Sequence, residues 1–180
     1  LILENPFRII VDIAVEPEPG VSKGPVYKPE LNKTLVVIDP GHGGKDHGAT
    51  GRHGVSEKQV ALKVSMEVKR ILENAGLTVR MTRTDDSFVP LEERTALANR
   101  YNADVFLSIH ANAHSDEEVH GVGSYYLDTT NDRYALRLAA VENKVREERV
   151  SDIQIALAQV SSRLHTKASK DLAGRITASL

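Results

Sequence analysis

Seven histidines and no cysteine in 180 residues restrict any metal chemistry to imidazole and carboxylate donors, a donor set that suits zinc. Two of the histidines have a distinctive setting. His42 lies just beyond the apolar run Leu35-Val36-Val37-Ile38, and His110 just beyond Val105-Phe106-Leu107-Ser108-Ile109. If both runs are strands of one parallel sheet, both imidazoles stand at its carboxyl edge, where open α/β sheets place their sites. Glu57 follows Ser56, a helix-capping residue, so its carboxylate sits at the mouth of the next helix, on the same edge. Two histidines and one glutamate form a known catalytic zinc set, with a fourth position left for water. Taken singly, a histidine after a strand is ordinarily a loop or capping residue, and a glutamate opening a helix serves the macrodipole. The joint placement of His42, Glu57 and His110 is what points to a metal. Asp39, the strand-edge acid close to His42, is expected to orient an imidazole. His47, His53, His114, His120 and His165 lack a strand-end setting and are read as solvated. His110 and His114 are four apart but lack the intervening glutamate of a zincin helix, and they follow a strand.

The elements that must position these groups follow from periodicity. Pro6 to Val15 is β-branched and apolar, and 16–33, with Pro17, Pro19, Pro25 and Pro29, reads as a linker. Leu35 to Ile38 is a continuous apolar run ended by Asp39-Pro40-Gly41, the profile of a strand covered on both faces. A glycine-rich loop leads to Ser56-x-x-Gln59, a capping box, and then to Val60, Val64, Val68, Ile71 and Ala75 at helical spacing, ended by Gly76. Leu77 to Thr82 is a second strand, Pro90 to Tyr101 a second helix and Val105 to Ile109 a third strand. The β-α-β-α-β order predicts a layered α/β domain. Gly123 to Leu127 is one more expected strand, and Arg133 to Leu180 is helix-forming throughout.

Charge narrows the partners. With 23 Lys+Arg against 25 Asp+Glu, the formal charge of -2 offers no basic footprint for nucleic acid and no polybasic patch for a membrane surface. No run approaches the roughly 20 apolar residues of a transmembrane helix. The 41% apolar content supports a real core. A chain beginning at Leu1 reads as a piece of a longer precursor.

Five ordered motifs carry a resemblance. Val37-Ile38-Asp39-Pro40-Gly41-His42-Gly43-Gly44, Glu57-Lys58 before a helix, Met81-Thr82-Arg83-Thr84-Asp85-Asp86, Leu91-Glu92-Glu93-Arg94 with Ala98-Asn99, and Ser108-Ile109-His110-Ala111-Asn112-Ala113 resemble the zinc-dependent N-acetylmuramoyl-L-alanine amidases that cleave septal peptidoglycan. The likeness spans Leu35 to Leu127. It implies a mostly parallel sheet with helices on both faces, Zn2+ on His42, Glu57 and His110, peptidoglycan as substrate, and a periplasmic or cell-envelope location. Residues 34–180 would be the catalytic domain lacking its C-terminal part. The N-terminal residues 1–15 resemble the end of a preceding β-rich targeting module or a connecting strand.

The family's catalytic glutamate follows a last strand, and no residue up to Leu180 matches it, so the resemblance puts it beyond Leu180. From Tyr134 onward the chain resembles the helical regulatory insertion of division-associated amidases, in which a helix covers the zinc until a protein activator withdraws it. Residues 131–180 are read as that segment, and Glu142 is similar to the glutamate offered to the metal. The other reading of this stretch is an amphipathic surface helix whose Glu142, Glu147 and Glu148 face water. For the whole chain the alternatives are another zinc hydrolase, such as a carboxypeptidase, and a non-catalytic zinc-containing fragment that binds peptidoglycan or an activator.

Overall fold

A computed structural model of the chain describes residues 2–3, 8–15, 33–51, 54–112, 121–126 and 163–179; for 2–3, 8–15 and 163–166 the backbone alone is described. The elements are β1 (Ile2–Leu3), β2 (Arg8–Val15), β3 (Leu35–Pro40), β4 (Thr50–Gly51), α1 (Glu57–Asn74), β5 (Thr78–Met81), α2 (Leu91–Arg100), β6 (Val105–Asn112), β7 (Tyr125–Tyr126) and α3 (Arg163–Ala178). Five of the strands form one sheet in the order β5-β3-β6-β2-β7, and β1 pairs with β4 in a separate two-stranded ladder.

The sheet is mostly parallel, as expected. β3 runs parallel to both β5 and β6, while β2 runs antiparallel to β6 and parallel to β7. Arg8–Val15, assigned from sequence to a preceding module or a connecting strand, thus occupies a place inside the main sheet. It also changes the extent of β6. The ladder runs without interruption from Val15↔Val105 to Arg8↔Asn112, so His110 lies within the strand rather than just past it.

Apolar periodicity decides the layers. Val64, Val68 and Leu72, four residues apart on α1, pack on Val36, Ile38, Val79 and Ile109, as one stripe of a helix does on one face of a sheet. Ala61 and Ser65, both 0% exposed, are small enough to let α1 approach closely. On α3, Ala173 packs with Leu172 and Ile176 against Val105, Leu107 and Tyr126. Alternation along β3 and β6 directs Asp39 and Ser108 to the opposite face from Ile38 and Leu107, and there α2 delivers Arg94 to Asp39. Helices therefore serve both faces. The expected capping box opens α1, the side chain of Gln59 accepting from the Ser56 N–H at 3.3 Å, and Gly76 stands just past the helix at φ +92°. Residues 16–32 and 127–162 lie outside the described residues, so neither the linker nor most of the expected regulatory segment has a structural counterpart to compare.

Candidate metal centre

β3 and β6 are tied at the carboxyl edge beyond the end of β3, because the Gly41 N–H donates to the Ile109 carbonyl at 2.9 Å. This brings the residue after Gly41 beside the residue after Ile109, and the rings of His42 and His110 meet edge to face with centroids 4.9 Å apart. Glu57, the first residue of α1, enters between them. Its Oε2 lies 3.1 Å from Nε2 of His42 and its Oε1 lies 3.1 Å from Nδ1 of His110. One potential donor atom from each falls within 4.8 Å of the others. All three residues singled out from sequence therefore converge.

The cradle around them is shaped by absent side chains. A Cβ on Gly41 would meet the His110 ring at 2.5 Å, and one on Gly48, at φ +64°, would meet His42 Cδ2 at 2.6 Å and Glu57 Oε2 at 2.7 Å. His42 itself adopts φ +58°, a left-handed conformation that costs a non-glycine residue about 1–3 kcal/mol. Such strain persists only where surrounding bonds determine it, and here they are explicit. Arg94 donates through Nη2 to the His42 carbonyl at 2.9 Å and through Nη1 to the Pro40 carbonyl at 2.8 Å. Arg83 donates through Nε to Pro40 at 3.0 Å and through Nη2 to the carbonyls of Gly41 at 2.7 Å and Lys58 at 3.0 Å. Two buried guanidinium groups thus hold three consecutive carbonyls, and one of them also holds the first turn of α1. Lys58 adds a further clamp, donating to the Gly44 carbonyl and the Asp86 carboxylate, while Asp86 accepts from the Gly44 N–H.

Electrostatics favour a cation between the donors. Burial alone would push the Glu57 carboxyl up, but its hydrogen bonds to His110 and His42 outweigh that and hold it well below the ordinary carboxylate range. The backbone N–H groups of Ala49 and Ala111 each donate to it at 2.9 Å. It is a fixed anion. Asp46 Oδ2 lies 3.2 Å from Nδ1 of His42, so that with a metal in place of the Nε2 proton the remaining imidazole proton would be held on Nδ1 and Nε2 would be the ligating atom. Two nitrogens and one carboxylate oxygen, dressed in this way, fit zinc.

The structure corrects one expectation. Asp39 does not orient an imidazole: its carboxylate accepts from Thr82 Oγ1 at 2.5 Å, Arg94 Nη1 at 2.8 Å and Ser108 Oγ at 2.9 Å. It sits with Ser108 on the face that strand alternation also gives His110, and steadies the site through Arg94. Asp46 takes the imidazole instead. Sequence reasoning passed over Asp46, whose only local signal is a spacing of four residues from His42, and quoted Arg83 and Arg94 without a role. Among the remaining histidines His47 is exposed, as expected. His53, His114 and His120, the side chain of His165, and Glu142, Glu147 and Glu148 lie outside the described residues.

An α/β protein whose mostly parallel sheet brings two imidazoles and a carboxylate together at its carboxyl edge has the donor set that a single-metal centre requires. The comparisons with known proteins narrow this further. The family model described as N-acetylmuramoyl-L-alanine amidase, Amidase_3, matches residues 36–180, and the chain belongs to that family. N-acetylmuramoyl-L-alanine amidase AmiA of Escherichia coli K12 is 39% identical over 132 residues, 73% of this chain and 45% of that protein. AmiC of Neisseria meningitidis serogroup B is 44% identical over 97 residues, 54% of this chain and 23% of that protein. Among solved structures, the amidase AmiC2 of Nostoc punctiforme superposes with a TM-score of 0.51 at 47% identity, covering 60% of this chain and 59% of that one. The chain spans less than half the length of these curated relatives.

Proposed function

We propose that the protein hydrolyses the amide bond between N-acetylmuramic acid and L-alanine in peptidoglycan, at a zinc ion held by His42, Glu57 and His110, and so takes part in splitting the wall at division. The observation that carries this reading is the convergence of the three donors within 4.8 Å in a chain of the amidase family. Zinc bound there would supply Lewis acidity, which brings the acidity of water toward neutrality and polarises a carbonyl oxygen. The chain's own residues prepare for that chemistry. Glu57, fully hydrogen-bonded, serves as an anionic ligand and not as the base. Asp46 fixes the tautomer of His42, and Arg83 and Arg94 hold the strained loop so that the imidazole positions do not wander. The carboxylate that takes the proton and returns it to the leaving amine belongs, on the family resemblance, to a glutamate beyond Leu180.

A substrate in the wall places the protein in the cell envelope, with export from a longer precursor as part of the proposal. No helix among the described residues is long and apolar enough to cross a membrane. The deciding experiment is digestion of purified muropeptides by the intact protein, with and without chelator, followed by mass spectrometry. Release of intact stem peptides, abolished by chelator, is expected. Trimmed stem peptides would make the protein a carboxypeptidase, and retention on peptidoglycan without any release would make it a binding module.

Regulation by the segment 131–180 is part of the same proposal. Glu142 would occupy the open metal position until an activator binds the region of Ile153, Ile155 and Leu157 and shifts the population. In the intact protein Glu142→Ala should then raise basal cleavage of labelled peptidoglycan without activator. Unchanged or lower cleavage by a folded, zinc-loaded variant would return Glu142 to the role of a surface acid.

A further inference from the structure

Asn112 closes β6 in a position that the metal centre does not use. The register between β2 and β6 is continuous through Arg8↔Asn112, so strand alternation puts Ser108, His110 and Asn112 on one face. Ser108 is spent on Asp39 and His110 faces Glu57. Asn112 is only 8% exposed, yet neither its Nδ2 nor its Oδ1 has a hydrogen-bond partner among the described residues. A carboxamide in that state is costly, and an apolar side chain of the same size would be at least as stable there. The unspent group offers one donor and one acceptor in a plane and carries no charge. That is the complement of a peptide group, and neither an anion nor a cation would be well served by it.

Its distance from the metal centre selects which peptide group. Two residues of strand separate the Cα atoms of His110 and Asn112 by roughly 6.5–7 Å, between one and two peptide units of about 3.8 Å each. We propose that the Asn112 carboxamide binds the stem-peptide amide next to the scissile bond, the one joining L-alanine to the second residue, accepting from its N–H through Oδ1 while Nδ2 donates to a neighbouring carbonyl. The inference rests on the amidase reading above and adds a substrate-binding residue to it. Asn112 thereby selects substrates that continue as a peptide beyond L-alanine.

The test compares two probes on the zinc-loaded protein. Muramyl dipeptide (MurNAc-L-Ala-D-isoGln) contains the second amide, and the methyl ester of MurNAc-L-Ala replaces its N–H with an ester oxygen. Wild type should bind the dipeptide more tightly. In Asn112→Leu the Kd ratio between the probes should fall about tenfold, the loss expected for a hydrogen-bonding group removed from a desolvated site, with zinc content unchanged and the thermal midpoint unchanged or higher. Asn112→Ala provides the same reading should the leucine variant fail to fold. A variant that keeps the wild-type ratio overturns the proposal and leaves the amidase reading intact. Wild type that binds neither probe overturns both.

Discussion

His42→Ala and His110→Ala should each lower zinc affinity by more than about a hundredfold, since loss of even an outer-shell partner costs 10–100-fold. The reason is geometric. Three potential donor atoms lie within 4.8 Å of one another, and removing one imidazole leaves a bidentate remnant in a pocket whose shape is set by Gly41 and Gly48. Asp46→Ala should sit between these variants and wild type, with about 10–100-fold weaker binding, because it frees the His42 ring without deleting a ligand. His47→Ala, at an exposed position, should match wild type. Elemental analysis after dialysis against a zinc buffer measures all four. Stoichiometric zinc in both His42→Ala and His110→Ala would show that the zinc is held elsewhere.

The second large effect is on stability. Arg94→Leu should destabilise the fold by about 3–5 kcal/mol, the range for deleting one partner of a buried ion pair. Arg94 is 5% exposed and Asp39 3%, and the arginine also satisfies the carbonyls of Val89, Pro40 and His42. Its loss leaves a buried carboxylate without its cation and takes a donor from the carbonyls of Val89 and His42, while that of Pro40 keeps Arg83. In urea the midpoint should fall by roughly 1–5 M, given a denaturant slope of about 1–3 kcal/mol per M. The double variant Asp39→Asn, Arg94→Leu should recover part of the loss, because the uncompensated charge is gone. A single-variant loss below about 1 kcal/mol would mean that Asp39 has another source of compensation and that Arg94 is not what holds the loop.

Arg94 also marks where sequence reading stops. Its bonds to Asp39 and His42 span 55 and 52 residues, and nothing in the local pattern around Leu91 distinguishes an arginine that reaches a buried carboxylate from one that faces water. The same limit explains Asp39. Position at a strand end suggested a partner for an imidazole, but the packing of α2 gave its carboxylate Arg94, beside Thr82 and Ser108, in place of a ring nitrogen. Asp46 was hidden for a related reason: whether a loop residue four positions on reaches His42 depends on the left-handed turn at His42, which no propensity announces for histidine.

What the sequence determined by itself was whatever is carried by local period and position. The apolar runs of β3 and β6, the capped amphipathic α1, and two histidines and a glutamate at the ends of those elements put three potential metal donors on one sheet edge, because in a parallel α/β sheet chain direction alone sets which edge a residue occupies. The tertiary structure decided what depends on partners distant in the chain. The pattern of Arg8–Val15 announces a strand but not its neighbours, and only its pairing with β6 reveals an antiparallel member of the main sheet that carries the ladder past His110 to Asn112. The assignment of Asp39 and Asp46 and the anchoring of the loop by Arg83 and Arg94 were decided in the same way. A hydrogen bond between groups far apart in sequence is selected by the burial that leaves each without water, and burial is a property of the packed molecule.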